Sequence, residues 1–300
     1  MAPLSDNMRG AALMAAAMMT FTVNDTFTKT LSDVLPLSQL LFLRGIGVMI
    51  CLAVMARAMG QLRFDLSVRD WVYIGLRTLG EIGGAYFFIT ALFHMPIANV
   101  SAILQVLPLS VALAGALFMN EPLGWRRLVA IMVGFGGVML IVRPGGADFN
   151  IFSLYALAAV ACVTLRDLVV RKLSRSVPSL MVSLSAAVGI TVFSGVASIW
   201  VDWQPMSGQE VFRLGGATVF VVFGYIFSVA AMRVGEIGFV APFRYASLLT
   251  ALVLGMIVFK EFPSTLTLIG AGIVVATGIF TLFREQQLAL RRRVVPDRIR

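Results

Sequence analysis

The sequence predicts an all-α polytopic membrane protein whose ten transmembrane helices form two inverted five-helix repeats. Three observations carry that expectation. Of 300 residues, 59% are hydrophobic and 13% charged, against about 45–50% apolar and about 25% charged in ordinary globular chains. Mean hydropathy is +0.92. The apolar residues fall into ten runs, and about 20 residues suffice for one crossing. Lysine and arginine concentrate in alternate loops. This composition excludes a cytosolic enzyme and a disordered or collagenous chain, and it leaves no room for a sizeable extramembrane domain.

The first run spans residues 10–30. It continues past Phe21 and has no basic segment before Arg9, so it reads as an uncleaved helix and not a signal peptide. The second, 36–59, begins at Pro36, and a basic loop with Arg63 and Arg69 leads to the third, 71–93. His94, Met95 and Pro96 make a tight turn into the fourth, 97–119. The fifth covers 128–142, the sixth 151–165, the seventh 178–200 and the eighth 211–232, with the ninth at 237–259 and the tenth at 264–283.

Orientation follows from the loops, because cytoplasmic loops retain positive charge. With the N-terminus inside, seventeen basic residues fall on the cytoplasmic side, among them Arg126, Arg127, Arg166, Arg171, Lys172, Arg175 and the tail arginines 291, 292, 293, 298 and 300. Four fall opposite: Lys29, Arg143, Arg213 and Lys260. Arg44, Arg77 and Arg244 lie inside helices. The split predicts both termini cytoplasmic in a bacterial inner membrane. It also explains the net charge of +9 without nucleic acid. Cys51 and Cys162 lie in apolar runs with no metal-ligand spacing and read as core filler.

A shift of 140 residues aligns the fourth helix with the ninth: Ala98 with Gly238, Val100 with Val240, Leu109 with Leu249, Ser110 with Thr250, Gly115 with Gly255 and Glu121 with Glu261. Each half then holds five helices, and an odd number makes the second half enter the membrane from the opposite side. Chance alignment of apolar helices is the alternative. The stretch 91–144, ALFHMPIANVSAILQVLPLSVALAGALFMNEPLGWRRLVAIMVGFGGVMLIVRP, resembles the closing part of the EamA module of drug/metabolite transporters, and 235–284 ends similarly. The resemblance implies a first module over 1–146 and a second over 147–300 with a basic cytoplasmic tail. Members move amino acids, nucleosides, S-adenosylmethionine, vitamins or drugs.

Ionisable groups within a span cost at least about 2.5–3.5 kcal/mol at mid-helix and therefore mark candidate sites. Glu81 lies ten residues past Trp71, about 15 Å deep at 1.5 Å per residue. Arg77, four residues earlier, shares its helix face and can pair with it; a purely structural pair is the alternative. Gly80, Gly83 and Gly84 permit a helix or a solute to approach the same segment. Arg244 and Tyr245 follow Pro242 and Phe243, an arrangement suited to a planar or anionic solute unless Arg244 snorkels to an interface. Asp25, four residues before Lys29, is a candidate outward gate or proton-linked carboxylate, with a structural salt bridge at the interface as the alternative, while Lys29 and Arg44 read as orientation anchors. Gln105 joins the candidate set. Pro96, Pro108 and Pro242 can supply the interrupted helices on which transporters build sites. Gly134, Gly136 and Gly137 in the fifth helix and Gly270, Gly272 and Gly278 in the tenth read as packing surfaces, with no nucleotide-loop pattern. The sixteen methionines read as adaptable core.

A secondary transporter accounts for the repeat and the midplane charges. A polytopic enzyme would need a nucleophile with its base, or a metal cluster. His94 is the single histidine and lies in a turn. The expected partners are a small-molecule solute and membrane lipid, with proton coupling left open, no cofactor or metal, no nucleic acid, and a monomer or homodimer. The segment Asn24-Asp25-Thr26-Phe27-Thr28-Lys29, with Leu43-Arg44-Gly45 and Arg166-Asp167-Leu168, is similar to a bacterial subgroup that includes riboflavin importers. Riboflavin uptake is the specific expectation. Amino acid or S-adenosylmethionine transport is the alternative.

Overall fold

The computed structural model describes residues 6–121, 123–145, 149–174, 176–234 and 237–294. Among these, all regular structure is helical. The first half comprises α1 (Asp6–Lys29), α2 (Leu37–Ala58), α3 (Val68–His94), α4 (Ile97–Leu104), α5 (Leu107–Met119) and α6 (Trp125–Val142). The second comprises α7 (Phe152–Val170), α8 (Ser179–Ala197) and α9 (Gly208–Val234). There follow α10 (Ile237–Val240), a 3-10 stretch Ala241–Tyr245, α11 (Ala246–Leu254), a π turn Gly255–Phe259 and α12 (Thr265–Val294). Eight segments meet the length and hydropathy of a membrane span among the described residues, counting α4 with α5 as one and Ala241–Phe259 as another. The two remaining long helices, α1 and α3, have 24 and 27 residues. The protein is a multi-pass membrane protein.

The fourth and ninth crossings are interrupted near Pro108 and Pro242, and three expectations need correction. Pro108 has no N–H to give the carbonyl of Leu104, where α4 ends, and Pro242 likewise leaves its surroundings in a 3-10 geometry. The sixth helix continues to Val170, so Arg166 and Asp167 belong to a helix and not to a loop. The tenth extends to Val294, past its expected end at 283. Pro96 does not interrupt a helix: it precedes the first residue of α4, a place where proline's missing donor costs nothing. Gly146, Arg175, Gly235, Arg298 and Arg300 lie outside the described residues.

Packing joins the halves. Helix α1 packs on α9, α3 on α7, α2 on α8, α6 on α12 and α4 on α11. Numbered as crossings, these are one with eight, three with six, two with seven, five with ten and four with nine. Every pairing maps onto itself or onto another when the halves are exchanged, as an inverted repeat requires. The crossing of α6 and α12 brings Gly137 and Gly270 backbone to backbone: a Cβ on Gly137 would lie 2.8 Å from the Gly270 carbonyl oxygen. Gly136 and Gly272 meet nothing within 4 Å and are not part of that surface. Helix α3 starts at an N-cap, where the Asp70 N–H bonds Ser67 Oγ at 3.1 Å. The Asp70 carboxylate accepts from Ser174 N and Oγ at 3.1 and 2.9 Å, tying that end to the segment after α7. Leu79, Met132, Val192, Leu249 and Ile257 are exposed, as befits a surface whose solvent is hydrocarbon.

Candidate functional site

Helix α3 provides the centre of the site. Glu81 stands thirteen residues from either end of it, about 20 Å at 1.5 Å per residue, where no backbone donor is free to satisfy a carboxylate. Arginines do so. Arg77, one turn earlier, approaches Glu81 Oε2 at 3.5 Å through Nη2 and donates Nη1 to the Val182 carbonyl at 3.3 Å. Arg166 Nη1 lies 3.3 and 3.2 Å from the two Glu81 oxygens. The Arg166 Nε also donates to Asp167 at 2.9 Å. The glycine face of α3 makes this geometry: a Cβ on Gly80 would lie 3.0 Å from the Cys162 carbonyl and 3.1 Å from Arg166 Cβ. A larger residue there would push α7, and with it Arg166, away from Glu81.

Arg77 and Glu81 line a narrow cleft of about 60 Å³, smaller than the roughly 300–1,000 Å³ common for small-molecule sites. Its other walls come from α2, with Arg44 and Val48, from α8, with Ser183 and Ala187, and from α9, with Val221 and Tyr225. Both halves thus contribute two helices. Arg44 does not behave as an interfacial anchor: it faces this cleft and donates to Asn24 Oδ1 at 3.2 Å and Thr28 Oγ1 at 3.3 Å. Asp25 accepts from Asn24 Nδ2 at 2.9 Å and acts electrostatically on Arg44. The lining offers guanidinium donors, one carboxylate, a phenol and a hydroxyl among apolar side chains. Such a set supplies the few convergent polar groups by which a solute is oriented.

The remaining candidates divide. Arg244 and Tyr245 do not form a joint surface: Arg244 is exposed and feels the charges of Asp167 and Arg166, whereas Tyr245 is buried with its phenol end against Gly278 of α12. Successive residues of a 3-10 helix diverge by a third of a turn, which separates them. Gln105, at the break between α4 and α5, donates to Ser247 Oγ at 2.7 Å. The fourth and ninth crossings therefore touch, instead of facing each other across the cleft. Lys29 bonds Glu261 at 2.6 Å, not Asp25. Arg166, Ser183 and Tyr225 are additions to the sequence-based set. Arg166 was readable as a charge next to an apolar run, but nothing local marks Ser183 or Tyr225. Among the described residues, no group of three His, Cys, Asp or Glu side chains is placed to hold a metal ion.

The model of the EamA-like transporter family matches residues 8–143 and, a second time, 150–283. The chain belongs to the EamA-like transporter family. Its two matched stretches are the halves whose helices pair across the molecule. Among relatives, the riboflavin transporter of Vibrio cholerae is 31% identical over 77% of this chain and 78% of its own. The S-adenosylmethionine uptake transporter of Rickettsia prowazekii is 26% identical over 95% and 96%, respectively. The pseudopaline exporter of Pseudomonas aeruginosa is 26% identical over 93% and 97%. A solved crystal structure superposes with a TM-score of 0.63 at 19% identity, covering 93% of this chain and 98% of its own; it establishes a shared fold. These EamA relatives are transporters by name.

Proposed function

We propose that this EamA-family protein is a secondary transporter carrying a small organic metabolite across the bacterial inner membrane by alternating access, with both termini cytoplasmic. The observation that carries this reading is the cleft itself, which takes two helices from each inverted half and is charged at mid-depth of α3. A membrane fold retains buried ionisable groups there at a cost, which a solute pathway explains. We read the cleft as a binding site; the single histidine, His94, lies away from it, stacked on Phe152 at 3.9 Å at the end of α3. Riboflavin uptake is the specific reading. It is supported by the 31% identical relative and by a lining in which arginines can donate to ring carbonyls while Tyr225 offers an aromatic face. S-adenosylmethionine uptake is the second reading, favoured by relatives that match nearly the whole chain. Growth rescue separates them. Expression in a riboflavin auxotroph should restore growth at low vitamin; rescue that fails there but appears as labelled S-adenosylmethionine uptake in the same cells would transfer the assignment.

A further inference from the structure

The two halves end their fourth crossing with the same local device. Asn120 and Lys260 both adopt left-handed backbone, with φ of 52° and 58°. The next residue folds back in each: Glu121 N bonds the Gly115 carbonyl at 3.2 Å, and Glu261 N bonds the Gly255 carbonyl at 3.0 Å. Gly115 makes room for the returning carboxylate: a Cβ there would lie 2.7 Å from Glu121 Oε2, whereas one on Gly255 would lie 3.8 Å from Glu261 Oε2, at ordinary contact distance.

Each carboxylate then takes a cation from the first crossing of the other half. Glu121 bonds Arg171, just past the end of α7, and Glu261 bonds Lys29, the last residue of α1, both at 2.6 Å. Four crossings lie between α1 and α7, so their C-terminal ends are five crossings apart and lie on opposite faces of the membrane. The two bridges are therefore copies of one contact at opposite ends of the molecule. They differ in closure. Lys29 and Glu261 are 9% and 22% exposed, whereas Arg171 and Glu121 are 39% and 43% exposed. Lys29 also donates to the Met95 carbonyl at 2.5 Å, and Glu261 accepts from Ile97 N at 2.9 Å. The buried bridge thus ties the end of α1, the turn before α4 and the end of the ninth crossing together.

We propose that Lys29–Glu261 and Arg171–Glu121 are repeat-related ionic latches that close the two ends of one solute pathway in turn; both are formed in the state described here, with the Lys29 end the more firmly sealed from water. This rests on the transporter reading, because a latch has meaning only where the cleft opens alternately to two faces. Desolvation makes the choice between states sharp. A bridge packed away from water contributes only while its partners stay together, and separating them leaves both charges buried unless water enters. The exposed bridge can part at little cost. Exchange of closure between two ends of an inverted repeat is what alternating access demands.

The test reads side-specific access in the full-length protein. A Ser183→Cys probe in the cleft, in a Cys51→Ala, Cys162→Ala background, is labelled with a membrane-impermeant maleimide in vesicles of both orientations. Glu261→Gln and, independently, Lys29→Met should raise labelling from the Lys29 face several-fold. Glu121→Gln should shift the ratio the other way. The exposed Glu121 pair tolerates neutralisation, so that arm decides the matter even if a Lys29-end variant fails to insert. Labelling that is present but has the same side ratio in every inserted variant overturns the latches and leaves only structural bridges. A probe reached from neither face in the parent or any variant overturns the pathway itself, and the transporter reading with it.

Discussion

Glu81 is held by two arginines, and that decides what its removal should do. Glu81→Gln keeps the shape and deletes the charge, leaving Arg166 with Asp167 but Arg77 with only the Val182 carbonyl. Breaking a buried pair can cost about 3–5 kcal/mol, so the single variant should lose some abundance together with several-fold of its uptake. The double variant Glu81→Gln, Arg77→Gln removes both uncompensated charges. It should regain membrane abundance by quantitative blot while initial uptake stays low; full uptake would make the pair a structural bridge only. The Arg77–Glu81 pair was legible because a four-residue spacing and helix depth are local facts. The pairing of Arg166 with Glu81 was not, because the two lie 85 positions apart and meet only across the glycine face of α3. Arg44 was misread for a similar reason: its depth along α2 is in the sequence, but the direction it faces is set by packing.

Helix α3 can approach α7 only where side chains are absent, so the crossing should be sensitive to volume at one glycine and indifferent at another. A Cβ on Gly83 would lie 2.8 Å from Cys162 Sγ, while one on Gly75 meets nothing within 4 Å. Overpacking a crossing costs about 1–3 kcal/mol. Gly83→Val should therefore lower the Tm of the detergent-solubilised protein by several degrees, and Gly75→Val should leave it near the parent value; equal Tm values would remove the close crossing. The interrupted helices yield a second expectation. Cysteines placed at Gln105 and Ser247, whose side chains are now 2.7 Å apart, should form a disulfide under mild oxidation in the Cys51→Ala, Cys162→Ala background. No cross-link in membranes would place the fourth and ninth crossings apart. Proline announced that these two helices are broken, yet it did not say that the breaks touch, since that contact joins residues 142 positions apart.

The whole molecule is an exchange of partners between two halves, and its orientation is fixed by where the positive charge stays. Moving Arg166 into α7 leaves sixteen basic residues on the face expected to be cytoplasmic and four on the other, so the asymmetry survives the correction. Arg126 and Arg127 at the start of α6 and Lys172 after α7 belong to the basic face, whereas Lys29 and Arg143 mark the other. Those last two sit at the C-terminal ends of α1 and α6, which must share a face if every intervening helix crosses once. Cytoplasmic retention of arginine and lysine then predicts that a phosphatase fused after Gly146 is active, because it is exported. A fluorescent reporter fused after Arg175 should be bright for the opposite reason. One further crossing separates the two fusion points, α7 alone. The pair therefore tests a single helix as well as the overall count: the same side for both would mean that α7 does not span. In that event the second half would enter from the same face as the first, the inverted relation between α1 and α7 would be lost, and Glu121 and Glu261 would no longer stand at opposite ends of one path.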